Sequence, residues 1–291
     1  SDTGTRNGVV EINSNDSSEA TFNFAVSFYA KRPILVTNTN NTGAGSLRQA
    51  TIDANAAAGI DFIDFGISTG AQVITYTSSP QNFSDGVIID GTTQPGYTGT
   101  NLITIRATNS YGETWLMNIN YNGEFTTFKA LNFDQNWSTS SILQYGILAS
   151  NVKYLTVDKC SFKGLRQGVY ASSCSDIVIT NNDFSGTGDG TSRPTIYIAS
   201  PSKIAIKGGF RMLNNLFGPS TSPVYNPSCY FRLDNATDIL IDSVDGPGVN
   251  AVFKYAEGLR KRGGGDWKLY FNNLVNLTMR NVVVADAAVT D

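Results

Sequence analysis

Residues 145–162 read YGILASNVKYLTVDKCSF and residues 167–184 read QGVYASSCSDIVITNNDF, a self-similarity at a shift of 22 residues. Each copy is a short alternating run, a polar turn of Ser, Asn or Asp, a second alternating run and a closing Phe. Three later stretches share the pattern: IYIASPSKIAI (196–206), FRLDNATDILI (231–241) and LYFNNLVNLTM (269–279). Taking Leu155 as reference, Ile177, Ile204, Ile239 and Leu277 are equivalent, with gaps of 22, 27, 35 and 38 residues. Short strands repeating at such gaps, with the extra residues held in loops, fit one coil of a parallel β-solenoid per repeat. Period-two alternation then turns Leu155 and Val157 toward the core and Thr156 and Asp158 outward.

The first coils read as weaker copies: VIID from Val87, ITIR from Ile103 and FTTFKALNF from Phe125. A second column supports the register. Phe133, Phe162, Phe184 and Phe217 each lie five residues beyond an apolar position, namely Phe128, Val157, Ile179 and Met212. Stacked at the strand spacing of about 4.8 Å, these rings predict an aromatic ladder inside the core. Asn181, Asn182, Asn214, Asn215 and Asn281 recur at the turn, where a structural Asn ladder accounts for them better than a ligand site.

Upstream, Ser46 stands three residues before Gln49, the capping-box spacing that starts a helix. A helix over about 47–57, stopped at Gly59, would cap the open end of the solenoid, whose strand edges and core would otherwise be exposed. Residues 1–32 differ: Val9 to Asn13 and Ala20 to Tyr29 read as two strands joined by the polar turn 14–19. Two strands are not stable alone, so they pack on the solenoid or belong to a preceding β-sandwich.

Composition agrees with turns and strands. Asn and Gly number 28 each, while charged residues are 15% of the chain against an ordinary share of about 25%. Sixteen Phe and 13 Tyr argue against disorder. The 21 basic and 24 acidic residues leave a net charge of −3, which offers no footprint for nucleic acid. No run of about 18 apolar residues predicts a membrane span, and no basic-then-apolar start marks a signal peptide, so a signal was removed or the chain is an excised segment. Cys160, Cys174 and Cys229 are an odd number with no CxxC pair; buried free thiols are the plain reading, and a Cys160–Cys174 bridge stays open.

Two resemblances follow. VTNTNNTGAGSLRQATIDAN (36–55), GIDFIDFGI (59–67) and DGTTQPGYTGT (90–100) resemble the opening segment of right-handed parallel β-helix domains in very large bacterial surface and secreted proteins. VEINSNDSSEATFNFAV (10–26) resembles the closing hairpin of the Ig-like choice-of-anchor D domain. Together they imply an all-β chain: residues 1–32 as the C-terminal hairpin of an Ig-like sandwich, and 33–291 as a right-handed, single-stranded parallel β-helix with an N-terminal capping helix. The setting implied is extracellular, at the bacterial outer membrane, in a protein of the kind exported by the type IX secretion system. No type IX sorting domain is recognisable at the C-terminus.

The chemistry is constrained by one zero: the chain has no histidine. The fold that the chain resembles also hosts polygalacturonases and uronan epimerases, which are associated with a His that this chain lacks. A calcium-dependent polysaccharide lyase would need clustered carboxylates and an Arg or Lys base. The outward column reads Asp158, Thr180, Lys207, Asp242, Arg280 in coil order, so Asp158 or Asp242 would hold Ca²⁺ and Lys207 or Arg280 would be the base. Alternating signs about 5 Å apart are accounted for better by a structural ladder, since calcium would need two or three carboxylates converging. Asp183 and Asp189, among glycines, are weak Ca²⁺ candidates that an inserted turn explains. The insertion at 258–267 gathers Arg260, Lys261, Arg262 and Trp267, suited to an acidic glycan or a protein surface. The expected function is a non-catalytic stalk or adhesin that touches a glycan or another protein and passes through the export machinery. The alternative is the lyase, and a third reading is a passenger whose partner is that machinery.

Overall fold

The computed structural model describes residues 4–13, 15, 18, 21–30, 33–107, 115–120, 124–135, 145–165, 167–186, 196–199, 202–207, 231–235, 237–242, 269–272 and 275–280. Past residue 199, side chains are described at 235 and 275–278. Three parallel sheets wind around one core, making a β-helix. Face A has six strands: Trp115–Asn120, Tyr145–Ser150, Gln167–Ser172, Ile196–Ala199, Phe231–Asp234 and Leu269–Asn272. Face B has nine: Ile34–Val36, Asp61–Phe65, Val87–Asp90, Glu124–Lys129, Lys153–Asp158, Ser175–Thr180, Ser202–Lys207, Thr237–Asp242 and Val275–Arg280. Face C has five: Gln72–Tyr76, Ile103–Ala107, Leu131–Gln135, Ser161–Lys163 and Asp183–Gly186.

The repeat and its register are those read from the sequence. Ile177 pairs with Ile204, Ile204 with Ile239 and Ile239 with Leu277, one coil to the next. The corners are turned by residues in the left-handed region: Asn151, Ser173 and Asn235 between faces A and B, and Ala130, Lys159 and Asn181 between B and C. Their amides continue the ladder; Lys159 N donates to Thr180 O at 3.1 Å and Ser173 N to Ala199 O at 2.9 Å. ITIR joins the solenoid on face C, where Ile105 pairs with Phe133.

The aromatic ladder forms on face C. Phe133 and Phe162 stack at 5.0 Å and 17°, Phe162 and Phe184 at 4.6 Å and 1°. All three rings are buried, and Phe217 lies outside the described residues. The Asn ladder is different from its expectation. Asn182 is buried, but its side chain bonds the backbone of the coil before it: Oδ1 accepts from Cys160 N at 2.7 Å and Nδ2 donates to Val157 O at 2.8 Å. The equivalent earlier positions hold Leu131 and Cys160 rather than Asn; Asn214, Asn215 and Asn281 lie outside the described residues.

The helix runs Leu47–Ala56 and buries Leu47, Arg48, Ala50, Thr51 and Ala54. Its start is half a capping box: Ser46 Oγ accepts from Gln49 N at 3.1 Å, while Gln49 Nε2 turns forward to Asp53 Oδ1 at 2.8 Å. Helical residues Leu47, Ala50 and Ala54 join the same buried core as Val36, Ile63 and Phe65 of the first two face B strands, so the helix covers that end. Arg48 locks it there. Its guanidinium donates to Asn41 O at 3.0 Å, Ser78 O at 2.8 Å and Ser79 O, and lies 5.2 Å from the Tyr76 ring centre.

Residues Gly4–Asn13 and Thr21–Ala30 form a separate antiparallel two-stranded sheet, several residues longer at its N-terminal end than the sequence suggested. Register puts Val10 opposite Phe24 and Gly8 opposite Val26, gathering one apolar face. Ile12 on that face is 53% exposed and Phe24 41%.

Candidate functional site

Face B carries the predicted outward column, and it is longer than the sequence suggested. Pairing runs from Asp64 to Asp90, Lys129, Asp158, Thr180, Lys207, Asp242 and Arg280, one residue per coil. Asp64, Asp90 and Lys129 were missed because the earlier coils were aligned only loosely, although DFIDF, VIID and FTTFK each show the same alternation.

In the described part of this column one ion pair is closed and a second carboxylate is hydrogen-bonded. Lys129 Nζ donates to Asp90 Oδ2 at 3.0 Å, and Asn181 Nδ2 donates to Asp158 Oδ1 at 3.2 Å. Burial alone would raise the Asp90 carboxyl, but hydrogen bonds from Thr92 and Lys129 outweigh it and hold the group below the usual carboxylate range. Asp64 goes the other way: burial, then the Asp90 charge, pushes it up. Asp90 also accepts from Thr92 N at 2.9 Å and so shapes the turn Gly91–Thr93, after which buried Gln94 bonds Ser68 O at 2.8 Å. The DGTTQ motif is therefore scaffold.

Face C repeats the device. Arg106, Asp134 and Lys163 are in register, with Arg106 Nε donating to Asp134 Oδ2 at 3.1 Å. Beside them Asn132 Nδ2 donates to Thr104 Oγ1 at 3.3 Å and Asn132 Oδ1 accepts from Ser161 Oγ at 2.6 Å. Asp183 sits in the last strand of this face, not in a loop, and Asp189 lies outside the described residues. So do Arg260, Lys261, Arg262 and Trp267. Among the described residues, no three His, Cys, Asp or Glu side chains gather as a metal ion would need. The side chains of Lys207, Asp242 and Arg280 fall outside the description, and only their register places them. No protein-family model matches the chain, and no curated protein matches it. Among the described residues, no helix is long and apolar enough to cross a membrane.

Cys160 and Cys174 are free thiols at two different corners, both buried, so the bridge between them is absent. Burial pushes the Cys160 thiol up to about 12 and the Cys174 thiol up as well, which removes them as nucleophiles.

Face A differs from its neighbours. Its first four strands, WLMNIN, YGILAS, QGVYAS and IYIA, hold no charged residue. Outward positions form one row of Leu148, Tyr170 and Tyr197, continuing from buried Asn118, and another of Asn120, Ser150, Ser172 and Ala199. Tyr145 lies 5.2 Å from Tyr170, tilted at 59°, and Tyr170 lies 5.2 Å from Tyr197 at 86°. Tyr170 and Tyr197 lie within the repeat itself, and their shared place in the first strand of successive copies is the signal of the row.

Proposed function

We infer that this chain is a non-catalytic, elongated module of a secreted or surface-displayed bacterial protein, acting as a stalk or adhesive surface. The observation that carries this reading is the charge pattern: from Asp90 onward outward charges alternate in sign along face B, as they do from Arg106 to Lys163 along face C, and the Asp90–Lys129 and Arg106–Asp134 pairs are closed. Cross-strand pairs of this kind each add about 0.2–1 kcal/mol and leave little charge to bind a cation or an acidic substrate. The same reading takes residues 1–32 as the end of an Ig-like sandwich whose remaining strands would cover Ile12 and Phe24. It also takes the SLRQA segment as the start of a surface-protein β-helix, with export by the type IX route. The insertion bearing Arg260, Lys261, Arg262 and Trp267 is a second contact region, for an anionic glycan or a protein.

A calcium-dependent lyase is the second reading, favoured by the register that sets Asp242 between Lys207 and Arg280. Incubation with polygalacturonate and Ca²⁺ separates the two. The stalk reading expects no unsaturated uronate product; ultraviolet-absorbing product that disappears in Lys207→Ala or Arg280→Ala overturns it.

A further inference from the structure

We propose that the uncharged tyrosine row of face A is a binding surface for an extended neutral polysaccharide lying along the solenoid axis. The inference rests on the adhesive reading above and names its surface and ligand class. Three observations lead to it.

The first is charge. Faces B and C each carry a column of Asp, Lys and Arg, whereas the first four strands of face A, between Trp115 and Ala199, carry none; the uncharged stretch ends at the fifth, where Arg232 and Asp234 pair with Tyr197 and Ala199. An acidic glycan or a nucleic acid needs basic groups to replace its counterions; a neutral, hydroxyl-rich chain does not.

The second is ring orientation. The core Phe rings stack face to face, at 17° and 1°, and so turn only their edges sideways. The outer Tyr rings break that stacking at 59° and 86°, so neighbouring rings cannot all bury their faces on one another. Tyr145, Tyr170 and Tyr197 are each half-buried, their rings held by neighbours while part of each stays open to solvent. A ring face beside the C–H face of a sugar gains dispersion contact, and the phenol hydroxyl remains able to bond a sugar hydroxyl.

The third is periodicity. The row steps once per coil from Leu148 to Tyr170 to Tyr197, with Tyr145 beside it, about 4.8 Å each time, close to the advance of an extended β-linked glycan per sugar. Ser150 and Ser172 repeat beside it at the same step and supply donors and acceptors. A repeating ligand meets a repeating surface in register, and several weak stacking contacts add along one chain.

Affinity electrophoresis of the full chain through gels containing hydroxyethyl cellulose, mixed-linkage β-glucan or polygalacturonate tests this. Retardation by a neutral glycan is expected, unchanged between low and high salt. It should weaken at least tenfold in Tyr170→Ala/Tyr197→Ala and survive in Tyr170→Phe. Leu148→Glu puts a charge into the row at a half-buried outward position and should weaken binding similarly; circular dichroism confirms that each variant is folded. Retardation that persists in the folded double variant overturns the row while leaving the adhesive reading in place. Absence of retardation by both neutral glycans, or salt-sensitive binding to polygalacturonate alone, overturns the neutral-glycan assignment. A protein found to bind at Tyr170 in place of a glycan overturns it as well.

Discussion

A Cβ placed on Gly168 would come within 2.5 Å of the Phe184 ring and 3.2 Å of Phe162, so this position is glycine because two ladder rings close over it. Gly168→Ala is expected to cost about 1–3 kcal/mol in a denaturant titration, the range for overpacking a filled core. A change within error would mean that the rings do not stack there. Cys160 tests burial at the neighbouring corner. With its thiol pushed up to about 12, it should resist iodoacetamide at pH 8 in the native chain and react in urea, as read by peptide mass mapping. Both positions belong to the repeat, but only part of their role was legible. The Phe column could be read from its five-residue offset, whereas the need for Gly168 follows from where the rings lie. Asn182 was read as one rung of an Asn stack, yet it bonds backbone, because the coil before it offers Cys160 N–H and Val157 C=O at that corner.

At the scale of strands and helix, the alternating charges have a pH signature. Asp90 is held low in the folded chain, so its contribution is present above the unfolded carboxylate range, about 3.9, and is lost as pH falls through its lower folded value. Lys129→Met should therefore destabilise at pH 7, by under about 1 kcal/mol for a partly exposed pair, with the difference from the parent chain closing in acid. Asp64 is raised, so its ionisation works against folding as pH rises. Asp64→Asn should raise the thermal midpoint at pH 7 and leave it nearly unchanged in acid; equal effects at both pH values would contradict the column. The helix start was legible from Ser46 and Gln49, since the Ser half of a capping box is a local interaction. The clamp of Arg48 on Asn41, Ser78 and Ser79 was not, because its partners lie 7 to 31 residues away and are backbone carbonyls that any residue could supply. The corners show the same limit: Ala130 and Lys159 take left-handed geometry beside Asn181, so composition alone does not mark them.

Over the whole molecule, the fold was legible because one coil constrains the next: a single alternating pattern, repeated, fixes sheet, register and core together. Function was less so, since a β-helix displays many surfaces and the sequence drew attention to charges, whereas the uncharged stretch of face A offers the aromatic row. Nine face B strands at about 4.8 Å give a column about 40 Å long, a length suited to a spacer. The outward positions Thr127, Thr156, Val178, Ala205, Leu240 and Thr278 pair in succession along it. The most direct test of this architecture is dipolar spectroscopy on spin-label pairs at these exposed-side positions. Thr156 with Leu240 spans three coils and should give about 14 Å between backbones, and Thr127 with Thr278 spans five and should give about 24 Å. Distances near these two values are the predicted result; distances far from about 14 and about 24 Å would contradict a continuous parallel β-helix.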